Sequence, residues 1–271
     1  MPKPTIVLIV PGTGEPAAGM LGGVTAELAR LAPGRVETKV IDYPRQYALP
    51  MSYGRSRTVG ETNLLAAVRD YAARGYLIVI VGYSQGAVVA GNVAAALTPE
   101  LAAAVVGVYL VADALRPRGT DSNGATESQN FNGWGVAGQR PITTVRARWY
   151  SIRGDVICDA TPDSLVRDIA DFSEWMGFTW QDVIAWPGKL LALARKQAWQ
   201  NAGWWQRFRR DPATLLELAP RGARAAEEVR GYPHLHTRYG DPAWPIPGIR
   251  RTYLQQVAHH ILYDLDRKAA P

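Results

Sequence analysis

Residues 76–97 constrain the fold more than any other part of the chain. Tyr76–Val81 (YLIVIV) is apolar throughout, the pattern of a central parallel strand covered on both faces. It runs straight into Gly82-Tyr83-Ser84-Gln85-Gly86, which in turn opens Gln85–Leu97, an Ala- and Val-rich stretch with no breaker after Gly91. A strand that reverses into a helix this sharply needs glycine on both sides of the turn, where side chains would collide with neighbouring backbone. Ser84 then sits at the tip, where the next amide and the helix N-terminus favour a developing negative charge. A serine placed so is a candidate nucleophile.

The flanking sequence repeats the alternation. Strand patterns cover Thr5–Val10, Val36–Ile41, Val105–Ala112 and Thr144–Ile152, and helical apolar spacing covers Gly19–Leu31 and Glu61–Ala73. Such alternation predicts an α/β fold, a parallel sheet between two layers of helices. At 271 residues and 47% hydrophobic content, the chain is long enough to bury one large core. Two regions break the rhythm. Arg118–Arg140 is polar and Gly/Asn-rich, and reads as a long loop beside the sheet edge. Pro162–Arg230 has several helical patterns, no convincing strand, and six of the nine tryptophans: Trp175, Trp180, Trp186, Trp199, Trp204 and Trp205. The expected organisation is a core made of residues 1–161 and 231–271, interrupted by a helical insertion at 162–230. A last amphipathic helix is expected over about Gly248–Leu265.

The net charge of +6 comes mostly from arginine, 25 Arg against 5 Lys. Arg, Ala and Gly richness of this kind accompanies a GC-rich genome, so no nucleic-acid partner is expected from it. Cys158 is the sole cysteine, which excludes an intrachain disulfide and a Cys-based zinc cage. The opening MPKPTIVLIVPGTGEP lacks the long apolar run and cleavage site of a signal peptide. Leu101–Ala112, the longest weakly polar stretch, is shorter than the ~20 residues of a membrane-spanning helix. Synthesis in a cytoplasm without an export signal is the expectation. Nothing in the sequence specifies an oligomeric state.

A serine nucleophile needs a base, and the chain has four histidines: His234, His236, His259 and His260. His259 and His260 fall within the last helix. His234 follows Pro233 on what reads as a late loop, and the order nucleophile, acid, histidine favours it; His236, two residues on, is the competitor. For the orienting acid, Asp155 stands in a turn just past the strand TVRARWYSI. Asp113, at the end of the preceding strand, is an alternative, and Asp159, four residues past Asp155, could instead cap the next helix. For the oxyanion, the amide of Gln85 follows the nucleophile directly, and PGTGEP (Pro11–Pro16) follows the first strand.

Three separated blocks, GYSQGA at Gly82–Ala87, GDVIC at Gly154–Cys158 and PHLHTRYG at Pro233–Gly240, together resemble the cutinase family of small α/β-hydrolase serine esterases. The resemblance implies Ser84 as nucleophile, Asp155 as acid and His234 as base. It also implies that Thr13 joins Gln85 in an oxyanion hole, and that no metal or organic cofactor takes part. The lone cysteine of the GDVIC block, the long separation of acid and histidine, and the PHL-x-x-RY block are similar to the mycobacteriophage esterases called lysin B. That resemblance implies hydrolysis of the ester joining mycolic acids to arabinogalactan, at the host envelope after the membrane is breached during lysis. A general cutinase-like carboxylesterase or lipase is the alternative. Lys189–Arg210 mixes aromatic and basic residues, compatible with peripheral contact at a lipid-rich surface, although helices packed over the core account for such tryptophans more simply.

Overall fold

The computed structural model describes residues 3–47, 50–120, 131, 133–173 and 200–269. Its centre is a five-stranded, wholly parallel sheet in the order β2-β1-β3-β4-β5, formed by β1 (Thr5–Val10), β2 (Glu37–Val40), β3 (Leu77–Tyr83), β4 (Val105–Val111) and β5 (Ala147–Tyr150). Successive side chains of a strand point to opposite faces, and the apolar runs split accordingly. Val7, Ile9, Val79 and Val81 meet Val24 and Leu28 of α1 (Gly22–Leu31) and Val257 and Ile261 of α8 (Tyr253–Ala269). Ile6, Leu8, Ile78 and Ile80 meet Leu64 and Val68 of α2 (Tyr53–Ala73) and Val89 and Val93 of α3 (Gln85–Ala95). The chain is therefore a three-layer α/β structure, as the alternation predicted.

Several boundaries move for local reasons. Helix α2 starts eight residues before Glu61, because Ser52 caps it by accepting from the Arg55 amide. Gly60 within it allows close packing, since a Cβ there would lie 3.1 Å from both Tyr43 and Val89. Pro99–Ala104 forms a short helix, α4, which no apolar periodicity in the sequence marks. Helix α8 starts at Tyr253, where the Thr252 amide donates to Gln255 Oε1 and the Gln255 amide donates to Thr252 Oγ1 in a capping box.

Past residue 161 the described residues are helical or irregular. They include α5 (Val166–Ser173), α6 (Ala202–Arg210) and α7 (Leu218–Leu235), which carries the chain across position 231 without a break. Trp175, Trp180, Trp186, Trp199 and the basic, aromatic stretch 189–199 lie outside the described residues. Trp204 is buried, stacked by the Arg221 guanidinium at 4.4 Å, and donates to Glu217 at 2.7 Å. No helix among the described residues is long and apolar enough to cross a membrane.

In this strand order β1 and β3 are adjacent but wind outward in opposite directions. The crevice at their carboxyl ends is where such sheets bind ligands. Both Thr13 and Ser84 lie there.

Candidate active site

Ser84 leaves β3 and caps α3 with φ 53° and ψ −119°, a backbone conformation that costs a non-glycine residue on the order of 1–3 kcal/mol. Neighbouring elements hold it. The Ser84 amide donates to Val111 O at 2.9 Å, and its carbonyl accepts from Ala87 N at 2.9 Å and Val88 N at 3.2 Å. The two glycines are steric requirements. A Cβ on Gly82 would meet Gly86 O at 2.4 Å, and one on Gly86 would meet Val10 O at 2.0 Å. The same close approach seats the β1 loop on the elbow, with Gly12 so tight on Tyr83 that an added Cβ would lie 2.9 Å from its ring.

That loop is braced by Glu15, whose carboxylate accepts from Gly12 N at 2.7 Å and Met20 N at 2.8 Å, and by the Tyr43 hydroxyl, which donates to Pro11 O. Thr13 thereby faces α3, and its hydroxyl donates to Gln85 Oε1 at 3.2 Å; Gln85 Nε2 donates to Gln46 O at 3.0 Å. As the first residue of α3, Gln85 has an amide with no acceptor inside the helix. The structure brings Thr13, Gln85 and Ser84 together along one cavity wall.

The histidine differs from the expectation. His236, not His234, faces the serine: its Nε2 is 3.0 Å from Ser84 Oγ, and its Nδ1 is 2.9 Å from Asp155 Oδ2 and 3.2 Å from Oδ1. His234 is exposed. The reason is that PHLH does not lie on a loop. Helix α7 continues through Pro233 to Leu235, and His236 is its C-cap in αR geometry. Residues two apart on a helix diverge by about 200°, so when one imidazole faces the crevice the other faces solvent. Tyr83 OH donates to His236 O at 2.6 Å, and the imidazole is stacked between Tyr83 and Tyr232, with centroids 5.1 and 4.9 Å away. Burial pushes both phenol pKa values up, so these rings stay neutral beside the imidazole.

Asp155 lies where the sequence placed it, in the turn past β5, and is wholly buried. Asp113 and Asp159 have other partners. Asp113 Oδ2 accepts from Arg140 Nη2 at 2.7 Å and Trp149 Nε1 at 3.0 Å. Asp159 accepts from Gly154 N at 3.0 Å and Arg116 Nη2 at 3.3 Å, which braces the turn that carries Asp155. Cys158 is a buried free thiol whose pKa burial raises well above its ordinary value. The polar segment after Arg118 returns to the body of the protein: Phe131 is buried under Arg116, and Trp134 bridges Ala160.

Ser84 opens onto a cavity of about 590 Å³, whose walls include Val88, Leu115, Val136, Ile157 and Val166. Val229 and Tyr232 of α7 form another wall, so the helix that delivers His236 also shapes the space beside it. An imidazole between a buried carboxylate and a serine hydroxyl, beside a largely apolar cavity, is suited to moving the serine's proton during attack on a carbonyl.

A parallel sheet with a strand–serine–helix elbow and a carboxylate-linked histidine defines an α/β-hydrolase. The chain belongs to the cutinase family, whose model matches residues 2–167, and it is a cutinase-like esterase. Among curated proteins no sequence match is found. Three solved structures illustrate the likeness. Lysin B from Mycobacteriophage D29 is 20% identical over 96% of this chain and 99% of its own, with a TM-score of 0.57. A cutinase-like protein from Cryptococcus sp. is 21% identical over 68% of this chain and 86% of its own (TM-score 0.47). The catalytic core domain of acetyl xylan esterase from Trichoderma reesei is 19% identical over 59% and 88% (TM-score 0.49).

Proposed function

We propose that this esterase hydrolyses the ester between mycolic acids and arabinogalactan of an actinobacterial envelope during phage-driven lysis. Ser84 is the nucleophile, His236 the base and Asp155 the orienting acid. The observation that carries the chemistry is the continuous Asp155–His236–Ser84 relay, with contacts of 2.9 and 3.0 Å. His236 Nε2 takes the Ser84 proton as Oγ attacks the ester carbonyl, while the proton on Nδ1 stays there and is donated in a hydrogen bond to Asp155. The tetrahedral oxyanion is met by the amides of Gln85 and Thr13. His236 then protonates the departing sugar alcohol, and a water activated by the same imidazole releases the fatty acid and restores Ser84.

Two observations favour a long acyl chain and an envelope substrate over small soluble esters. The cavity beside Ser84 is walled mostly by aliphatic side chains, and its volume is in the range that encloses a sizeable ligand. The fold likeness to lysin B also extends over nearly the whole chain, past residue 167 where the cutinase match stops. Contact of the stretch Lys189–Arg210 with a lipid-rich surface, and action at the envelope after membrane breach, belong to the same proposal.

The test is incubation with purified mycolyl-arabinogalactan and assay of free mycolic acid, with Ser84→Ala alongside. Release by the wild type alone is expected. Cleavage of short p-nitrophenyl esters without mycolate release would return the protein to a general cutinase-like carboxylesterase.

A further inference from the structure

The relay ends, in the proposed mechanism, at Asp155, yet the hydrogen bonding does not end there. The Asp155 carboxylate is wholly buried, and among the described residues no lysine or arginine pairs with it. Its charge is balanced by three dipolar donors. Oδ1 accepts from Ile157 N at 3.2 Å; Oδ2 accepts from Tyr239 OH at 2.7 Å as well as from His236 Nδ1. Tyr239 OH is the donor of that bond, and its oxygen in turn receives the Ile152 amide at 3.1 Å. Tyr239 is itself immobilised. Its ring lies edge-on to Tyr83 at 6.1 Å and to Tyr253 of α8 at 5.3 Å, and its carbonyl accepts from Leu254 N at 3.2 Å. Cys158 Sγ lies 3.4 Å from the same hydroxyl.

Two donors thus compete for Oδ2, the imidazole and the phenol. A hydrogen bond to a carboxylate lowers its basicity, and between buried groups that change reaches the imidazolium with little screening. We infer that Tyr239 is a positioning residue of the relay: its hydroxyl fixes the rotamer of Asp155 and weakens that carboxylate as an acceptor, so that His236 is not over-stabilised as a cation. The inference rests on the esterase reading above. Burial and the neighbouring Asp155 charge keep the phenol protonated at any working pH. The titratable groups facing His236 and Asp155 are Tyr83 from β3, Tyr232 from α7, Cys158 from the turn past β5, and Tyr239 itself. Glu15, Tyr47 and the Arg116–Asp159 pair lie in the next shell.

The experiment is the pH profile of kcat/KM on p-nitrophenyl butyrate for wild type, Tyr239→Phe and Cys158→Ala, with melting curves to establish folding. Removing the hydroxyl leaves Asp155 more basic and the imidazolium more stable, so the acid limb of Tyr239→Phe is expected to move up by roughly half to one pH unit. Its kcat is expected to fall roughly tenfold, with KM little changed. Cys158→Ala keeps the Tyr239–Asp155 bond and is expected to keep the wild-type limb. Site-specific 3-fluorotyrosine at 239 preserves shape and sharpens the donor, and should move the limb the other way. This arm decides the matter if the phenylalanine variant does not fold. A limb unmoved in the folded variants, whether or not turnover drops, overturns the inference and leaves Tyr239 with packing alone. Failure of the esterase reading looks different, since the wild type would then neither turn over ester nor be labelled at Ser84 by a fluorophosphonate.

Discussion

The two segments that meet at the candidate site are shaped by different physics. Residues 82–86 are governed by contacts within a few residues and with the two adjacent strands. Gly82 and Gly86 are required because backbone oxygens lie 2.0–2.4 Å from where a Cβ would stand, and Ser84 is left in a conformation only such a turn sustains. Residues 232–239 have no such local compulsion. His236 faces Ser84 because α7 arrives at a particular rotation, Tyr83 holds its carbonyl, and Tyr239 anchors the following turn to α8. A serine placed by steric exclusion is recognisable in its own pentapeptide, whereas a histidine placed by docking is defined by its partners.

The contrast breaks most visibly at the histidines. His236→Ala should lower kcat about ten-thousandfold or more, while His234→Ala should stay within about twofold of wild type. Equal losses, measured on p-nitrophenyl butyrate with both variants shown to be folded, would return the base assignment to the PHL histidine.

A glycine pair sharpens the comparison at the level of stability. Gly86→Ala drives a methyl into Val10 O and Pro11 O, and is expected to abolish soluble expression or lower Tm by more than about 10 °C. Gly222→Ala, on α7 with nothing within 4 Å of the added carbon, is expected to gain about 0.5–1 kcal/mol from helix propensity alone. Thermal melts of the two variants test this, and a stabilised Gly86→Ala would dismiss the steric account of the elbow.

The smallest effect separates acid inactivation of the site from acid unfolding elsewhere. Burial, with Arg148 nearby, pushes the His260 pKa from 6.5 down to about 4. Its ring sits between Tyr150 OH, 2.8 Å from Nδ1, and Gln256 Nε2, 2.9 Å from Nε2, where an imidazolium would point a proton at the Gln256 amide hydrogens. The folded pKa lies below the unfolded one, so the stability from the neutral ring is full above about pH 6.5 and drains away as pH falls toward 4. Over that window the wild-type Tm should drop roughly 4 °C more than that of His260→Gln. Parallel curves would remove His260 from the account.

Much of this architecture was legible beforehand. Five strands and the helices beside them follow from apolar runs and 3.6-residue spacing, and Ser84 follows from strand, glycines and helix in immediate succession. Asp155 could be placed because a turn directly after a strand puts a carboxylate at the carboxyl edge of a parallel sheet. The start of α2 was missed because YGRSRTVG carries two glycines and little apolar periodicity, and Ser52 compensates only once its side chain caps the helix. The histidine that faces Ser84 is hidden in the sequence because Pro233 reads as a helix terminator, yet α7 runs on through it for two residues. Tyr239 was visible only as part of a PHL-x-x-RY block, since nothing in that string shows a phenol meeting a carboxylate 84 positions away.

By itself, then, the sequence determined the layered sheet, the elbow and the place of Ser84, because each depends on periodicity or on steric exclusion between near neighbours. Only the tertiary structure decided which histidine faces Ser84, which aspartate meets that histidine, and what holds that aspartate. Those choices depend on the rotation of α7 and on side chains claimed elsewhere, as Asp113 is by Arg140 and Trp149, and such long-range contacts exist only once the chain has packed.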